Sequence, residues 1–494
     1  MANRIDDQGV RIAGAVDASV IGEPIGKLHR WGMLVVLDFS IFLANFMAVC
    51  LFPHVVTLAV EYQQPISSVA WVMIVVTVVG TGASAVAAGL GAIFGNRMML
   101  VVALGCILLG GMVAVLSEGF STLVIGRGIQ GIGLACQALA IGIITRHWAA
   151  ADMRKALSSA VAATGAGTIA GYLMGGVIWK TGGDWRTEFW LMIGATALAL
   201  LLTLTVVKET KRVRGARVDF VGAVGLLAWA VLIPLPLSQA NTWGWGSARV
   251  CGLLVSGVVL LALWTIWELH NEAPLLDLRL LALAGVWQGA AAWFTIGTAF
   301  SVASISIPYL FETPSPPVGW GLGESALITS IALAVPGTVM VALSPTTPFL
   351  LRHLGSKRTI VLGAVFGLGE FGMALAHGSV WISVVWLSTV GVMAAWAGSA
   401  SYAVAMEAVP ARQGVIVSGL FIAVMNTGAS AATAVAGYFL SLRVVTLNMT
   451  SPGSDQVMRA SPADEAFTWS ALLIGSIAAL NLAVLAVGDL SESE

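Results

Sequence analysis

Charge is what this sequence has least of. Only 10% of its 494 residues are Asp, Glu, Lys or Arg, against about one quarter in an ordinary soluble domain. Basic and acidic residues nearly cancel, 24 against 25, so there is no positive surplus with which to hold nucleic acid. Cysteine is scarce too. Cys50, Cys106, Cys136 and Cys251 stand singly in apolar stretches, which excludes a disulfide framework and a zinc site and leaves small packing residues. HExxH, GxSxG and phosphate-binding glycine-loop patterns are missing, so nothing argues for an enzyme, a cofactor or a metal. The first thirty residues lack the apolar core of a cleaved leader and read as a short cytoplasmic tail.

What is present is apolar. The hydrophobic set makes up 58% of the chain, and the mean hydropathy is +0.92. One core stops growing at roughly 250–300 residues, so a soluble fold has nowhere to put this much apolar surface; a lipid bilayer does. Apolar segments fall near 31–53, 68–91, 98–117, 120–145, 156–179, 187–207, 220–238, 250–267, 285–310, 325–350, 359–376, 380–406, 414–440 and 468–488. About twenty helical residues cover the hydrocarbon layer, and runs such as Leu191–Val207 do not alternate as barrel strands do. The expected fold class is therefore an all-α integral membrane bundle of about fourteen transmembrane helices.

Loop charge orients it. With the N-terminus inside, 18 of the 24 basic residues fall on the inner side and 5 on the outer, with Arg127 left within a segment. Both termini are thus expected in the cytoplasm of a bacterial-type plasma membrane. The most basic connection, Lys208–Arg217, follows the sixth helix and marks a boundary. The domain reading is a tail at 1–30, six helices over 31–207, a two-helix insert at 208–284, six helices over 285–488 and a tail at 489–494. The outer loop at 441–467, with Pro452, Gly453 and Pro462, is expected to be polar and mobile.

Two glycine-rich helices carry the motifs. The fourth contains Gly126-Arg127-Gly128-Ile129-Gln130-Gly131-Ile132-Gly133. An arginine on an isolated membrane helix costs at least about 2.5–3.5 kcal/mol, so Arg127 must face a protein interior or a watery cavity, with Gln130 on its face. The bland alternative is a structural arginine bonded to backbone carbonyls. In the fifth helix Gly167, Gly171, Gly175 and Gly176 form a small-residue face that admits another helix, expected to be the tenth near Ala334–Gly337.

These features together resemble the major facilitator superfamily, and within it the fourteen-helix drug:proton antiporters of the EmrB/QacA kind. Arg127, Gln130, Gly131 and Gly133 match that family's R-x-x-Q-G-x-G. Gly167, Gly171, Gly175 and Gly176 match G-x-x-x-G-P-x-x-G-G, with Tyr172 in place of proline. Asp184, Trp185, Arg186 and Phe189 match D-W-R-W-x-F, with Thr187 departing, and Pro274–Arg279 is also similar. Of the cytoplasmic G-x-L-x-D-R-x-G-R-R/K loop, Leu90, Gly95 and Arg97 remain, but Ala92 and Ile93 replace the acid and its basic neighbour. The resemblance implies that Gly95 and Arg97 act with the helix glycines in conformational change, while the usual latch between the halves lacks its carboxylate.

Coupling to protons needs a membrane-embedded acid. Asp38 and Glu370 are the candidates, beside Arg127 and Gln130. Asp38 lies seven residues from the inner end of its helix and Arg127 seven from the outer end of its own, a difference in depth of more than about 10 Å that argues against a direct ion pair. Glu370 falls in a helix that the family places peripherally, where a structural or partner-contact role competes. By resemblance Asn45, Gln137, Gln288, Trp293, Tyr309, Trp396 and Tyr402 line a central cavity, mostly aromatic with scattered amides, suited to lipophilic or amphiphilic molecules. The expected function is efflux by alternating access in exchange for protons, with small-molecule substrate, protons and bilayer as partners. Uncoupled export of lipids or metabolites, and a membrane sensor or scaffold that transports nothing, are the alternatives.

Overall fold

The computed structural model describes residues 26–148, 150–210, 219–271, 274–314, 320–375, 378–409, 414–442, 444–449 and 457–490. The tail at 1–25, the middle of the basic connection at 211–218 and residues 491–494 lie outside that set. The membrane region is helical throughout, as hydrocarbon demands: with no water to bond, each backbone N–H and C=O must be satisfied within its own helix.

The helices are α1 (Leu28–Glu61), α2 (Ile66–Gly91), α3 (Asn96–Val115), α4 (Phe120–Ile144), α5 (Ala150–Lys180), α6 (Arg186–Val206), α7 (Phe220–Trp243) and α8 (Ala248–His270). They continue with α9 (Gly285–Glu312), α10 (Ala326–Leu354), α11 (Ser356–Leu375), α12 (Val380–Ala405), α13 (Gly419–Leu442) and α14 (Asp464–Ala483). Among the described residues 13 are long and apolar enough to cross a membrane. The fourteenth is α5, whose 31 residues give about 46 Å of helix, long enough to cross the hydrocarbon layer.

Three irregularities shape the site. A 3-10 turn at Phe52–His54, set by Pro53, interrupts α1 before the chain resumes as Val55–Glu61. Another at Ile132–Leu134 follows Gly131 in α4. A π-helical turn at Ala394–Gly398 interrupts α12.

The connection between α13 and α14 differs from the mobile loop expected. Val444–Met449 pairs antiparallel with Val457–Pro462, Val444 opposite Pro462, to form a β-hairpin. Apolar Val445, Leu447 and Met449 alternate with polar Thr446 and Asn448 along the first strand, a pattern that favours pairing over a free loop. The end of the bundle carrying this hairpin is termed the hairpin face and the opposite end the tail face.

Helices α1–α6 pack on one another, as do α9–α14, and the two groups meet through α5 against α10 and α2 against α13. In α9, 72% of the most apolar window is buried inside the protein; in α8, only 17% is. So α9 is central and α8 peripheral, with Val255, Val258, Val259 and Leu263 facing outward. Helix α7 bridges the two groups: Trp71 of α2 donates its indole N–H to Ser238 at 2.7 Å, and Asn241 donates to Ser441 of α13 at 2.6 Å.

Candidate functional site

Glycines bring two helices, α2 and α3, onto α4. A Cβ at Gly126 would lie 2.7 Å from the Ala114 backbone nitrogen of α3, and one at Gly131 would lie 2.8 Å from the Val76 carbonyl of α2. At Gly133 it would strike the Ile107 side chain. This close approach leaves Arg127 and Gln130 fully buried. Arg127 donates from Nη1 to the Met47 carbonyl of α1 at 2.9 Å and to Oε1 of Gln130 at 2.8 Å, and from Nε to the Val72 carbonyl of α2 at 3.3 Å. One side chain thus bolts α4 to α1 and α2. Its Nη2 has no hydrogen-bond partner, an arrangement that costs about 1–3 kcal/mol for an ordinary buried polar group and more for a charged one.

A second buried charge lies nearby, and sequence reasoning missed it. Glu188, on the first turn of α6, is fully buried, and its Oε1 is 3.3 Å from Nε2 of His54 in the 3-10 turn of α1. Oε2 of Glu188 has no hydrogen-bond partner. Glu188 and Arg127 lie within electrostatic reach of each other, and Cys50 of α1 lies within reach of both. The sequence signal was misread at a boundary. Ending the first segment at residue 53 places His54 in water, whereas the helical path continues to Glu61 and carries it inside.

The Asp184–Phe189 run caps this site on the hairpin face. The Trp185 indole N–H donates to Oε2 of Glu61 at 2.7 Å; Arg186 pairs with Oε1 of Glu61 at 2.8 Å and with Asp184 at 3.0 Å, its guanidinium 4.4 Å over the Trp185 ring. Phe189 stacks edge-on to Trp185 at 5.6 Å.

The glycine face of α5 corrects one expectation. Gly167 and Gly171 turn toward α1, where a Cβ would meet the Phe42 carbonyl and, at 2.8 Å, the Phe46 carbonyl. A Cβ at Gly175 would lie 3.0 Å from both Pro53 and Oε1 of Glu188. Gly176 is the one that meets α10, but at Ser330 and Leu327, about one to two turns from Ala334–Gly337, where a Cβ at Gly337 would make ordinary contact with Ile169 of α5. Residues four apart share a face, and that face was assigned to the wrong neighbour.

At the tail face, Gly95 takes φ 101°, a conformation open to glycine. The Glu209 carboxylate, beyond α6, caps the start of α3 by accepting from the Arg97 and Met98 backbone N–H groups at 3.1 and 3.2 Å, and Arg97 donates to the Leu204 carbonyl. An acid therefore stands at this loop, though not at Ala92, and it ties α3 to the segment after α6 within one half.

Asp38 is half-buried, with Ser159 of α5 as a hydrogen-bonding neighbour. It stands nine residues from Met47, about 14 Å along α1, and apart from Arg127. Glu370 is buried among α9, α11 and α14, against Ser306, Phe467 and Ser470, in the other half.

The cavity residues divide. Trp293 of α9 and Tyr402 of α12 meet edge to face at 5.3 Å, and Phe421 packs on Tyr402 at the same distance. Gln288 is buried on α9, while Asn45 and Gln137 are partly exposed on α1 and α4. Tyr309 is buried at the hairpin end of α9. Trp396 lies against Phe366 of α11 at 5.4 Å and donates to Thr346 at 3.0 Å, away from the Trp293–Tyr402 pair. A cavity of about 560 Å³ opens on the hairpin face among Thr57, Glu61, Trp179, Glu324 and Ser325.

The family model described as Major Facilitator Superfamily matches residues 37–434. The tetracenomycin C resistance and export protein of Streptomyces glaucescens is 23% identical over 78% of this chain and 72% of its own length. The multidrug resistance protein Stp of Mycobacterium tuberculosis is 25% identical over 72% of this chain, which spans 65% of that protein. The cephamycin export protein CmcT of Amycolatopsis lactamdurans is 29% identical over 61% of this chain, which spans 62% of that one. Among solved structures, a peptide transporter POT in complex with sulfate superposes with TM-score 0.66 at 13% identity, covering 92% of this chain and 93% of that one.

Proposed function

The chain is a multi-pass membrane protein of the major facilitator superfamily, a family of transporters rather than enzymes, and from that premise we propose that it exports lipophilic or amphiphilic small molecules by alternating access in exchange for protons. The names of its relatives, which speak of antibiotic export and multidrug resistance, support an export direction and a drug-like substrate class. The observation that carries coupling is the burial of Arg127 with one guanidinium nitrogen unpartnered, within electrostatic reach of a buried carboxylate. A purely structural bolt has no use for the unsatisfied N–H. A group that changes partner during a cycle does.

Loop charge puts the tail face in the cytoplasm. On that orientation the contacts that join the halves close the outer side: Tyr172 to Ser304, Gly176 to Ser330, and Gly437 to Ala70. Asn45, Gln137, Gln288, Trp293 and Tyr402 then offer amides and aromatic rings to a substrate entering from the inner side. With an assumed driving force of about 150 mV, one proton supplies about 3.5 kcal/mol, enough for a gradient of roughly a few hundredfold of a neutral substrate.

Counterflow of ethidium in proteoliposomes, with and without an imposed pH gradient, tests the reading. Flux accelerated by the gradient supports it. Flux indifferent to the gradient favours uncoupled export, the reading that the missing acid at Ala92 supports, and the absence of flux removes the drug-like substrate class.

A further inference from the structure

The buried acids differ in what surrounds them. Asp38 lies near the tail face beside a serine, and Glu370 lies in the second half among apolar residues and serines. Glu268, also buried, lies on the peripheral α8 and accepts from the Leu276 backbone N–H, so Glu188 alone among these four sits against a histidine, within electrostatic reach of the buried arginine, at a place where the two halves meet.

From this geometry we infer that the His54–Glu188 pair is the proton-binding site of the transporter, and that its protonation controls the contact between the halves on the hairpin face. The inference rests on the coupled-export reading for its role, not for its chemistry. His54 belongs to the 3-10 turn Phe52–His54, which packs not only on α5 of its own half but also on α9 and α10 of the other. Glu188 is flanked by Gly175, where a Cβ would crowd its carboxylate at 3.0 Å, and the next residue, Gly176, abuts Ser330 of α10. A change of charge on the pair therefore acts on two elements that form the interface: the end of α1 and the glycine face of α5. Oε2 of Glu188, buried and unpartnered, is the atom open to a proton.

The charged and titratable surroundings are limited. Helix α1 contributes His54, Cys50 and, at the rim, Glu61; α4 contributes Arg127. Helix α6 contributes Arg186 and, just before it, Asp184, both engaged with each other and the former with Glu61. Helix α5 brings Tyr172, whose hydroxyl is bonded to Ser304. Helix α3 brings neither carboxylate nor histidine along its length, and α9 brings Tyr309 and Glu312 at its hairpin end. Binding is a plain proton transfer: the carboxylate, or the imidazole bonded to it, takes one proton from water while the halves are parted on the hairpin face and releases it toward the cytoplasm once they have closed there and parted on the tail face.

The test reads the proton itself. The full chain in lipid nanodiscs is titrated between acid and alkaline pH, and infrared difference spectra record the C=O stretch of protonated carboxyl groups. Glu188→Gln, which keeps shape but cannot titrate, should remove the principal band, while Asp38→Asn and Glu370→Gln should keep it. His54→Ala should shift the pH at which the band appears; this second variant reads the same site should Glu188→Gln fail to fold. A principal band unaltered by Glu188→Gln and unmoved by His54→Ala, or no titrating carboxyl in the unaltered protein, overturns the assignment. Ethidium counterflow separates this from the functional reading. If the unaltered protein transports without regard to pH while Glu188 titrates, coupled export fails and the proton site stands. If Glu188→Gln keeps a normal response to the pH gradient, the site fails and coupled export stands.

Discussion

Tyr172 of α5 and Ser304 of α9 share a 2.8 Å hydrogen bond between their hydroxyls, joining the two halves at the position where the resembling family carries proline. Proline has no such group to offer and removes a helix hydrogen bond; tyrosine leaves α5 continuous and adds a cross-link. Phe52 packs on the same ring at 6.2 Å, so the contact belongs to the interface that also holds His54. Losing one buried hydrogen bond costs about 1 kcal/mol, roughly a fivefold change in a two-state population. Tyr172→Phe should shift the protein by about that factor toward opening at the hairpin face, read as faster thiol labelling of a cysteine placed at Leu327. Unchanged labelling would mean that the bond contributes nothing to closure.

The glycines of α5 should separate into two classes. Gly171→Leu drives a side chain into the Phe46 carbonyl and Val49 within one half. Overpacking of this kind costs about 1–3 kcal/mol, so the variant should lose thermal stability. Gly176→Leu pushes against Ser330 across the halves. It should retain the stability of each half and instead hold the hairpin face open, with export lost. Equal thermal shifts for the two variants would contradict this division.

Arg127 should not tolerate its usual substitute. Lysine keeps the charge but has no planar fork with which to reach the Met47 and Val72 carbonyls and Gln130 together. Arg127→Ala should abolish export with near-normal membrane insertion, and Arg127→Lys should lose at least about tenfold, the equivalent of roughly 1.4 kcal/mol. Full pH-driven ethidium flux in Arg127→Ala would leave the residue a structural bolt and nothing more.

Orientation is directly measurable. A cysteine at Gly215, in the basic connection, should be shielded from an impermeant thiol reagent in intact cells, and one at Ser454, between the hairpin strands, should react. The reverse labelling would invert the inner and outer assignments, and with them the direction proposed for the proton.

Sequence alone determined the solvent, the architecture and the need to bury one arginine. Fourteen apolar runs of spanning length have a single resolution in lipid, because helices satisfy their backbone bonds locally and need no partner to be recognised. Arg127 and Gln130 were legible for the same local reason: three residues apart on one helix, they must share a face, and they do. Tertiary structure decided everything that depends on which helix stands beside which. Glycines 167, 171 and 175 announce a close neighbour but not its identity, and it proved to be α1. His54 and Glu188, 134 positions apart, pair only because Pro53 turns the end of α1 inward and the Trp185–Glu61 contact draws the start of α6 against it. Glu209 caps α3 across a gap of more than a hundred residues, replacing an acid sought at Ala92. A helix or a buried charge follows from local composition and solvent, whereas a long-range pair depends on the packing of several helices at once, which no single stretch of sequence encodes.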